Sequence, residues 1–259
     1  MAGKACNVLI TGANRGLGLE MVKQLAETSC PGRRIFAGCR DPSAPKSQSL
    51  QELAKQHPGV IHVIRLDVAD LSSIKESAKQ VGLFLGKDGL NLLVNNAGMA
   101  THEDMKTAGP KEMQDTFNTN IMGPMLVTKE FLPYLREAAK SSGEPGMSCS
   151  KAAVINISTI LASIAKVPET VAFFPVFALP YRISKAGLNM LTVCNAVEFK
   201  DDGILFALLH PGWVQTDMGG AGGAIDAQES VSGMLRVMSD LTEKQSGAFL
   251  DYNGQSLPW

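Results

Sequence analysis

The sequence predicts an α/β fold, a doubly wound parallel β-sheet with helices on both faces, formed by residues 1–259 as one domain. Three observations predict it. Short apolar, β-branched runs alternate with longer amphipathic stretches along the whole chain. A glycine turn, Gly12-Ala13-Asn14-Arg15-Gly16-Leu17-Gly18, joins the first apolar run to the first amphipathic one. The other conspicuous polar motifs fall at the carboxyl ends of predicted strands, where such sheets bind ligands.

In chain order, Cys6-Asn7-Val8-Leu9-Ile10-Thr11 reads as a buried parallel strand, because strands covered on both faces are continuously apolar. Leu19 to Ala26 carries helical periodicity, giving a helix near 16–28. Further strands are expected near 34–39, 60–66, 90–95, 152–157, 203–209 and 248–252. Helices are expected near 47–56, 72–84, 111–140, 182–200 and 226–240. Ser141-Ser142-Gly143-Glu144-Pro145-Gly146 is a loop of turn formers rather than a domain linker.

Composition narrows the class. An apolar share of 45% with 19% charged residues suits a compact core. A net charge of −1 predicts neither a nucleic-acid nor an anionic-membrane partner, and no apolar run is long enough to span a bilayer. Met1-Ala2-Gly3-Lys4 leads straight into the first strand, so a cytoplasmic protein without signal peptide is expected. The five cysteines, at 6, 30, 39, 149 and 194, are scattered and read as thiols in a reducing compartment. The histidines at 57, 62, 102 and 210 show no zinc spacing, so no metal is expected. Asn156-Ile157-Ser158 matches a glycosylation sequon but falls in a predicted buried strand.

Two features carry chemistry. Tyr181 and Lys185 stand four apart and share a face if helical. A phenol titrates near 10, and a cation held beside it favours the phenolate, so the pair suits proton exchange with an alcohol oxygen. The glycine turn, following a strand and opening a helix, is the context of a dinucleotide site: Gly12 allows the tight turn, while Gly16 and Gly18 let a pyrophosphate approach the helix N-terminus. Its spacing is Gly-x-x-x-Gly-x-Gly.

Together these residues resemble the short-chain dehydrogenase/reductase family. Thr11 to Gly18 resembles its cofactor motif, and Asn95-Asn96-Ala97-Gly98 its motif after the fourth strand. Asn120, Ser158, Tyr181 and Lys185 follow its catalytic order, and Pro211-Gly212-Trp213-Val214-Gln215-Thr216-Asp217 resembles its segment after the sixth strand. The match runs from about Val8 to Tyr252. Cys39-Arg40-Asp41, the long Ser158–Tyr181 interval and the ending Leu250-Asp251-Tyr252-Asn253-Gly254 are most similar to the sniffer or C-factor branch, which contains carbonyl reductases.

The resemblance implies a Rossmann fold and transfer of hydride between a nicotinamide cofactor and a carbonyl carbon. Tyr181 would donate the proton, and Lys185 would lower the Tyr181 pKa and bind the nicotinamide ribose. Ser158 would hold the developing oxyanion, and Asn120 a water linking Lys185 to solvent. Gly12, Asn14, Arg15, Gly16, Leu17, Gly18, Arg40, Asp67, Val68, Asn95, Ala97, Gly98, Tyr181, Lys185, Pro211, Gly212, Val214 and Thr216 would line the cofactor site. Basic residues at the Arg15 and Arg40 positions mark NADPH, since a guanidinium binds a 2′-phosphate that a carboxylate repels. Asp41, one residue later, argues mildly against this. Read as bare residues, Arg15 and Arg40 are solvated loop arginines, Ser158 a strand-end cap, Asn120 a polar residue at a helix bend, and Asp67 a cap for the helix beginning near Leu71.

The substrate side is less specified. Val171 to Pro180 is an apolar loop that either lines a lipophilic substrate mouth or packs against a subunit or the core. Trp213, Met218 and the hinge-like Gly219-Gly220-Ala221-Gly222-Gly223 fall where the family places a mobile lid. The leading expectation is an NADPH-dependent reductase of lipophilic aldehydes, ketones or quinones. The alternatives are a hydroxysteroid or retinoid dehydrogenase and, in another class, a non-catalytic NADP(H)-binding signalling protein. The family often dimerises through the long helices, near 111–140 and 182–200 here, although some carbonyl reductases are monomers.

Overall fold

Seven parallel strands form one sheet in the order β3-β2-β1-β4-β5-β6-β7. They are β1 (Asn7–Thr11), β2 (Arg34–Cys39), β3 (Ile61–Arg65), β4 (Leu92–Asn95), β5 (Ala153–Ile157), β6 (Leu205–His210) and β7 (Phe249–Asp251). The structure is a computed structural model that describes residues 6–143, 145–174 and 177–259. Met1–Lys4, Glu144 of the turn-rich loop and Pro175-Val176 of the apolar loop lie outside the described residues.

Period-two alternation assigns each strand residue to a layer. Val8 and Ile10 pack with Ile35, Ala37, Met21 and Leu25, whereas Leu9 packs with Phe36, Leu93 and Phe131. The first layer is covered by α1 (Gly16–Glu27), α2 (Gln48–Gln56) and α8 (Ala227–Asp240). The second is covered by α3 (Leu71–Leu85) and α5 (Gly123–Ser141), with α7 (Leu179–Glu198) over β6. Strand order reverses between β1 and β4, which opens a crevice at the carboxyl ends of those strands.

The helix expected near 111–140 is three segments. Pro110–Phe117 forms α4, Asn118–Met122 a π turn, and Gly123 begins α5. Gly123 N–H reaches back five residues to the Asn118 carbonyl, and Pro124 has no N–H with which to restore the α pattern. The apolar loop before Tyr181 contains a further helix, α6 (Val167–Phe173), with Pro168 in its first turn. α7 starts at Leu179, so Tyr181 lies in its first turn.

Candidate active site

The glycine turn is a close fit. A Cβ on Gly18 would stand 2.3 Å from the Gly12 carbonyl oxygen and 2.6 Å from Asn96 Nδ2. Asn96 Nδ2 donates to the Thr11 and Gly12 carbonyls, while Thr11 Oγ1 accepts from the Asn96 and Ala97 amides. The side chain of Asn96 therefore ties β4 to the turn, a role sequence reasoning did not assign. The N-cap of α1, Arg15, makes no side-chain capping bond, and the first turn holds no acidic residue. The first amides of this 12-residue helix are thus available to an anion, as a pyrophosphate requires. Leu17 packs partly against the core behind them.

Around this turn stand the groups expected to read the adenosine half. Arg40 is exposed at the end of β2. Asp41 turns away: its Oδ1 accepts from the Ser43 amide at 2.9 Å and hydroxyl at 2.6 Å, and these bonds hold its carboxyl below the usual range. Asn14 Nδ2 donates to the Lys46 carbonyl at 3.4 Å, bringing the segment after β2 beside the glycine turn. Arg15 pairs with Asp217 beyond β6, at 2.5 Å. Asp67 does not cap α3; Asp70 does, accepting from the Ser72 amide, while Asp67 Oδ1 accepts from Ala69 N. Val68 is buried, and a Cβ on Gly123 would come within 3.0 Å of its carbonyl. Asn95 is corrected in one respect. Its side chain points into the core, donating to Asn156 Oδ1 at 2.8 Å.

A chain of near contacts leads from the turn to the reacting groups. A Cβ on Gly12 would lie 2.9 Å from Ala97 Cα, and one on Gly98 would lie 3.2 Å from Asn120 Oδ1 and 3.5 Å from Lys185 Nζ. Asn120, fully buried in the π turn, exchanges hydrogen bonds with the Met99 backbone and donates to Ser184 Oγ at 2.9 Å. It sits at a helix bend and in the site as well. Lys185 Nζ donates to the Ile157 carbonyl at 2.7 Å.

The hydroxyl beside Tyr181 belongs to Thr159, not Ser158. The Thr159 side chain lies beside the Tyr181 phenol and favours its ionised form. Ser158 Oγ, 1% exposed, donates to Asn189 Oδ1 at 2.6 Å on α7. Alternation is the cause: Asn156 and Ser158 point to the α7 side of the sheet, where Asn156 Nδ2 donates to Thr192 Oγ1, and the chain turns only after Ser158. That parity was the available signal in the sequence. Thr159 Oγ1 also accepts from the Leu161 amide at 3.2 Å, which leaves its proton for the phenol.

Burial pushes the Tyr181 phenol up to about 12, against a smaller downward pull from the Thr159 hydrogen bond. Burial likewise pushes Lys185 down to about 8. The Lys185 ammonium, expected to act on the phenol, engages the Ile157 carbonyl in this structure.

Pro211, Gly212, Val214 and Thr216 form the far wall. Ser230 Oγ donates to the Pro211 carbonyl, and Gly212 has φ +86 against Ile225 and Tyr252. Val214 bridges to Ile225, and Thr216 borders Gly16. The glycines that follow are not all hinges: a Cβ on Gly223 would collide with Val214 and Gln215, so this residue serves close packing. Trp213 meets Phe174 at 5.1 Å and Phe173 at 5.8 Å between ring centroids, joining α6 to this segment.

A parallel sheet of this order, a glycine turn at its switch point and a Tyr-x-x-x-Lys turn across the crevice are now joined by a direct match: the family model described as "short chain dehydrogenase" covers residues 6–224. The chain belongs to the short-chain dehydrogenase/reductase family. Among solved structures it is similar to the NADPH-bound carbonyl reductase from chicken fatty liver, with 45% identity, a TM-score of 0.93, and coverage of 99% of this chain and 100% of that one. It is also similar to the carbonyl reductase Sniffer of Drosophila melanogaster, with 35% identity, a TM-score of 0.91, and coverage of 98% and 100%. C-signal of Myxococcus xanthus is 36% identical over 174 residues, 66% of this chain and 93% of that protein. The family and the sniffer-like branch expected from the motifs are therefore those of the chain. Among the described residues, no helix is long and apolar enough to cross a membrane.

Proposed function

We propose that the protein is an NADPH-dependent carbonyl reductase of lipophilic aldehydes, ketones or quinones, with Tyr181 as proton donor and Thr159 as the hydroxyl that holds the carbonyl oxygen. The observation that carries this is the pair of adjacent hydroxyls after β5: Thr159 lies beside the Tyr181 phenol, whereas Ser158 Oγ is committed to Asn189 Oδ1. The family makes the chain an oxidoreductase, and NADP(H) is its cofactor. Arg40 stands exposed for a 2′-phosphate, while the neighbouring Asp41 carboxylate accepts from Ser43 and stays ionised, a mild counterweight. When bound, the cofactor supplies the hydride. Tyr181 delivers its proton to the carbonyl oxygen as negative charge develops there, and Thr159 stabilises that charge. Asn120 and Lys185, which both border Gly98, hold the route by which the proton on Tyr181 is replaced.

An apolar substrate suits the Phe173, Phe174 and Trp213 cluster, where Phe173 keeps 69% of its surface exposed. A homodimer through the long helices is supported by a separate stripe on α7. Ile183, Met190 and Val197 recur every seventh residue and are exposed, near Phe117 of α4 and a hollow of about 500 Å³ lined by Met113, Phe117 and Met122. We place the protein in the cytoplasm because its thiols suit a reducing compartment.

Mixing protein, NADPH and a reactive quinone should lower absorbance at 340 nm, and Tyr181→Phe should reduce turnover by at least about a hundredfold. Wild-type protein that binds NADPH without oxidising it in the presence of any carbonyl would instead support the signalling alternative.

A further inference from the structure

Arg182 follows the proton donor in sequence and is 5% exposed. Among the described residues no carboxylate forms an ion pair with it. A buried, unpaired guanidinium is costly unless neutral acceptors solvate it. Here those acceptors all come from the segment between Thr159 and α7. Nε donates to the Phe177 carbonyl at 2.7 Å, and Nη1 to Thr170 Oγ1 at 2.7 Å and the Leu161 carbonyl at 3.5 Å. The guanidinium also lies over the Phe177 ring, 5.6 Å from its centroid. One side chain thus grips the beginning, the middle and the end of the segment.

The segment needs such a grip. Ala178 has φ +54, the one non-glycine residue with positive φ among those described. Backbone of this kind persists only where its surroundings fix it. Arg182 holds the carbonyl just before it, and the Glu103 carbonyl holds the Leu179 amide just after it. The body of α7 is pinned independently, through Ser184 to Asn120, Lys185 to Ile157, Asn189 to Ser158 and Thr192 to Asn156. Tyr181 lies beside Thr159, outside the reach of these contacts. Loss of Arg182 therefore releases the segment while leaving the acid in place.

We infer that Arg182 is a positioning residue that clamps residues 160–174, the carriers of Phe173 and Phe174, together with Phe177 against the site, and so sets the preference for bulky apolar carbonyls. This rests on the carbonyl-reductase reading for its substrate consequence, but not for the clamp itself.

The test has a kinetic arm and a structural arm. Arg182→Met keeps an unbranched apolar stem and loses the donors, and charge-assisted bonds of this type are large enough for an effect of about tenfold or more. KM for a bulky naphthoquinone should rise by that factor, while kcat/KM for a small aldehyde should stay within about threefold. Hydrogen exchange of amides 160–174 should accelerate while those of 184–196 do not. Arg182→Lys, which retains charge and one donor, should restore part of both effects. Thr170→Val removes a single acceptor and should move both readouts the same way by less; it serves in place of Arg182→Met if that variant does not fold. An equal loss on both substrates with unchanged exchange would mean that Arg182 acts through Tyr181, and would overturn the inference. Faster exchange with unchanged KM would overturn its specificity part. If the wild-type protein reduces neither carbonyl, the proposed function fails, and the exchange arm still decides the clamp.

Discussion

Thr159 and Ser158 are adjacent hydroxyls with different surroundings, and a pair of substitutions separates them. Thr159→Val preserves shape and removes the hydroxyl that meets Tyr181. Removing a donor aimed at developing charge lowers kcat by about 10²–10³-fold, roughly 2.7–4 kcal/mol of barrier. The same change removes the Leu161 N–H acceptor, a capping loss of about 0.5–2 kcal/mol in stability. Ser158→Ala does the reverse. It breaks the 2.6 Å bond to Asn189 Oδ1 inside the protein and orphans that acceptor, at about 1–3 kcal/mol. For a chain of this size that lowers Tm by roughly 2–12 °C, while kcat should change by less than about threefold. Thr159→Ser keeps the hydroxyl and should keep activity. The assay is single-turnover NADPH oxidation at saturating quinone, with a thermal melt of each variant. If Ser158→Ala lost as much kcat as Thr159→Val while melting like the wild type, the oxyanion role would return to Ser158 and the strand-parity reasoning would fail.

Three further outcomes are expected. Arg40→Asp should weaken NADPH binding by about tenfold to a hundredfold and leave NADH unchanged or improved, as titrated by cofactor fluorescence; equal weakening of both would make Arg40 structural. Asp217→Asn removes the carboxylate that occupies Arg15, so NADPH affinity should rise by up to about fivefold, the scale of an exposed ion pair, with NADH unaffected. His210 is held neutral by burial, its pKa pushed down to about 4 with a small opposing pull from Asp251. The unfolded chain then binds the extra proton first, so stability is full above pH 6.5 and falls as pH drops towards 4. Between pH 7 and 4.5 the wild type should lose at most about 2 kcal/mol more than His210→Gln in urea titrations, and parallel losses would remove His210 from the acid response.

Much of this architecture was legible because parallel strands buried on both faces announce themselves as apolar runs, and β2 was bounded at Arg34–Cys39 from sequence alone. The glycine turn was legible for a similar reason, since Gly18 leaves no room for a Cβ. What escaped was set by pairing rather than pattern. The π turn depends on where Gly123 N–H finds its acceptor, which periodicity does not encode. α6 carries the signals of a helix start, Pro168 and then Glu169, yet its apolar residues read as a loop. Lys185 was expected to act on Tyr181 because they share a helix face, and its bond to the Ile157 carbonyl depends on how α7 lies against β5, which spacing does not encode.

The polar residues between β5 and α7 show why the active site is built this way. Apolar contacts between a helix and a sheet are non-directional, so they resist separation better than sliding. Sliding α7 by a fraction of a turn would carry Tyr181 away from Thr159. Against it stand Asn156–Thr192, Ser158–Asn189 and Asn120–Ser184, three buried hydrogen bonds of 2.6–2.9 Å spaced along one side of the helix. Each is satisfied in one register and orphaned in its neighbours, where an unpaired buried group costs about 1–3 kcal/mol. These residues occupy the motif but do not touch the reacting atoms. Under the proposed function they keep the phenol beside Thr159 before substrate arrives, the condition under which electrostatic stabilisation of a transition state requires no rearrangement. Ser158 would then serve catalysis through the placement of α7, and Thr159 through contact.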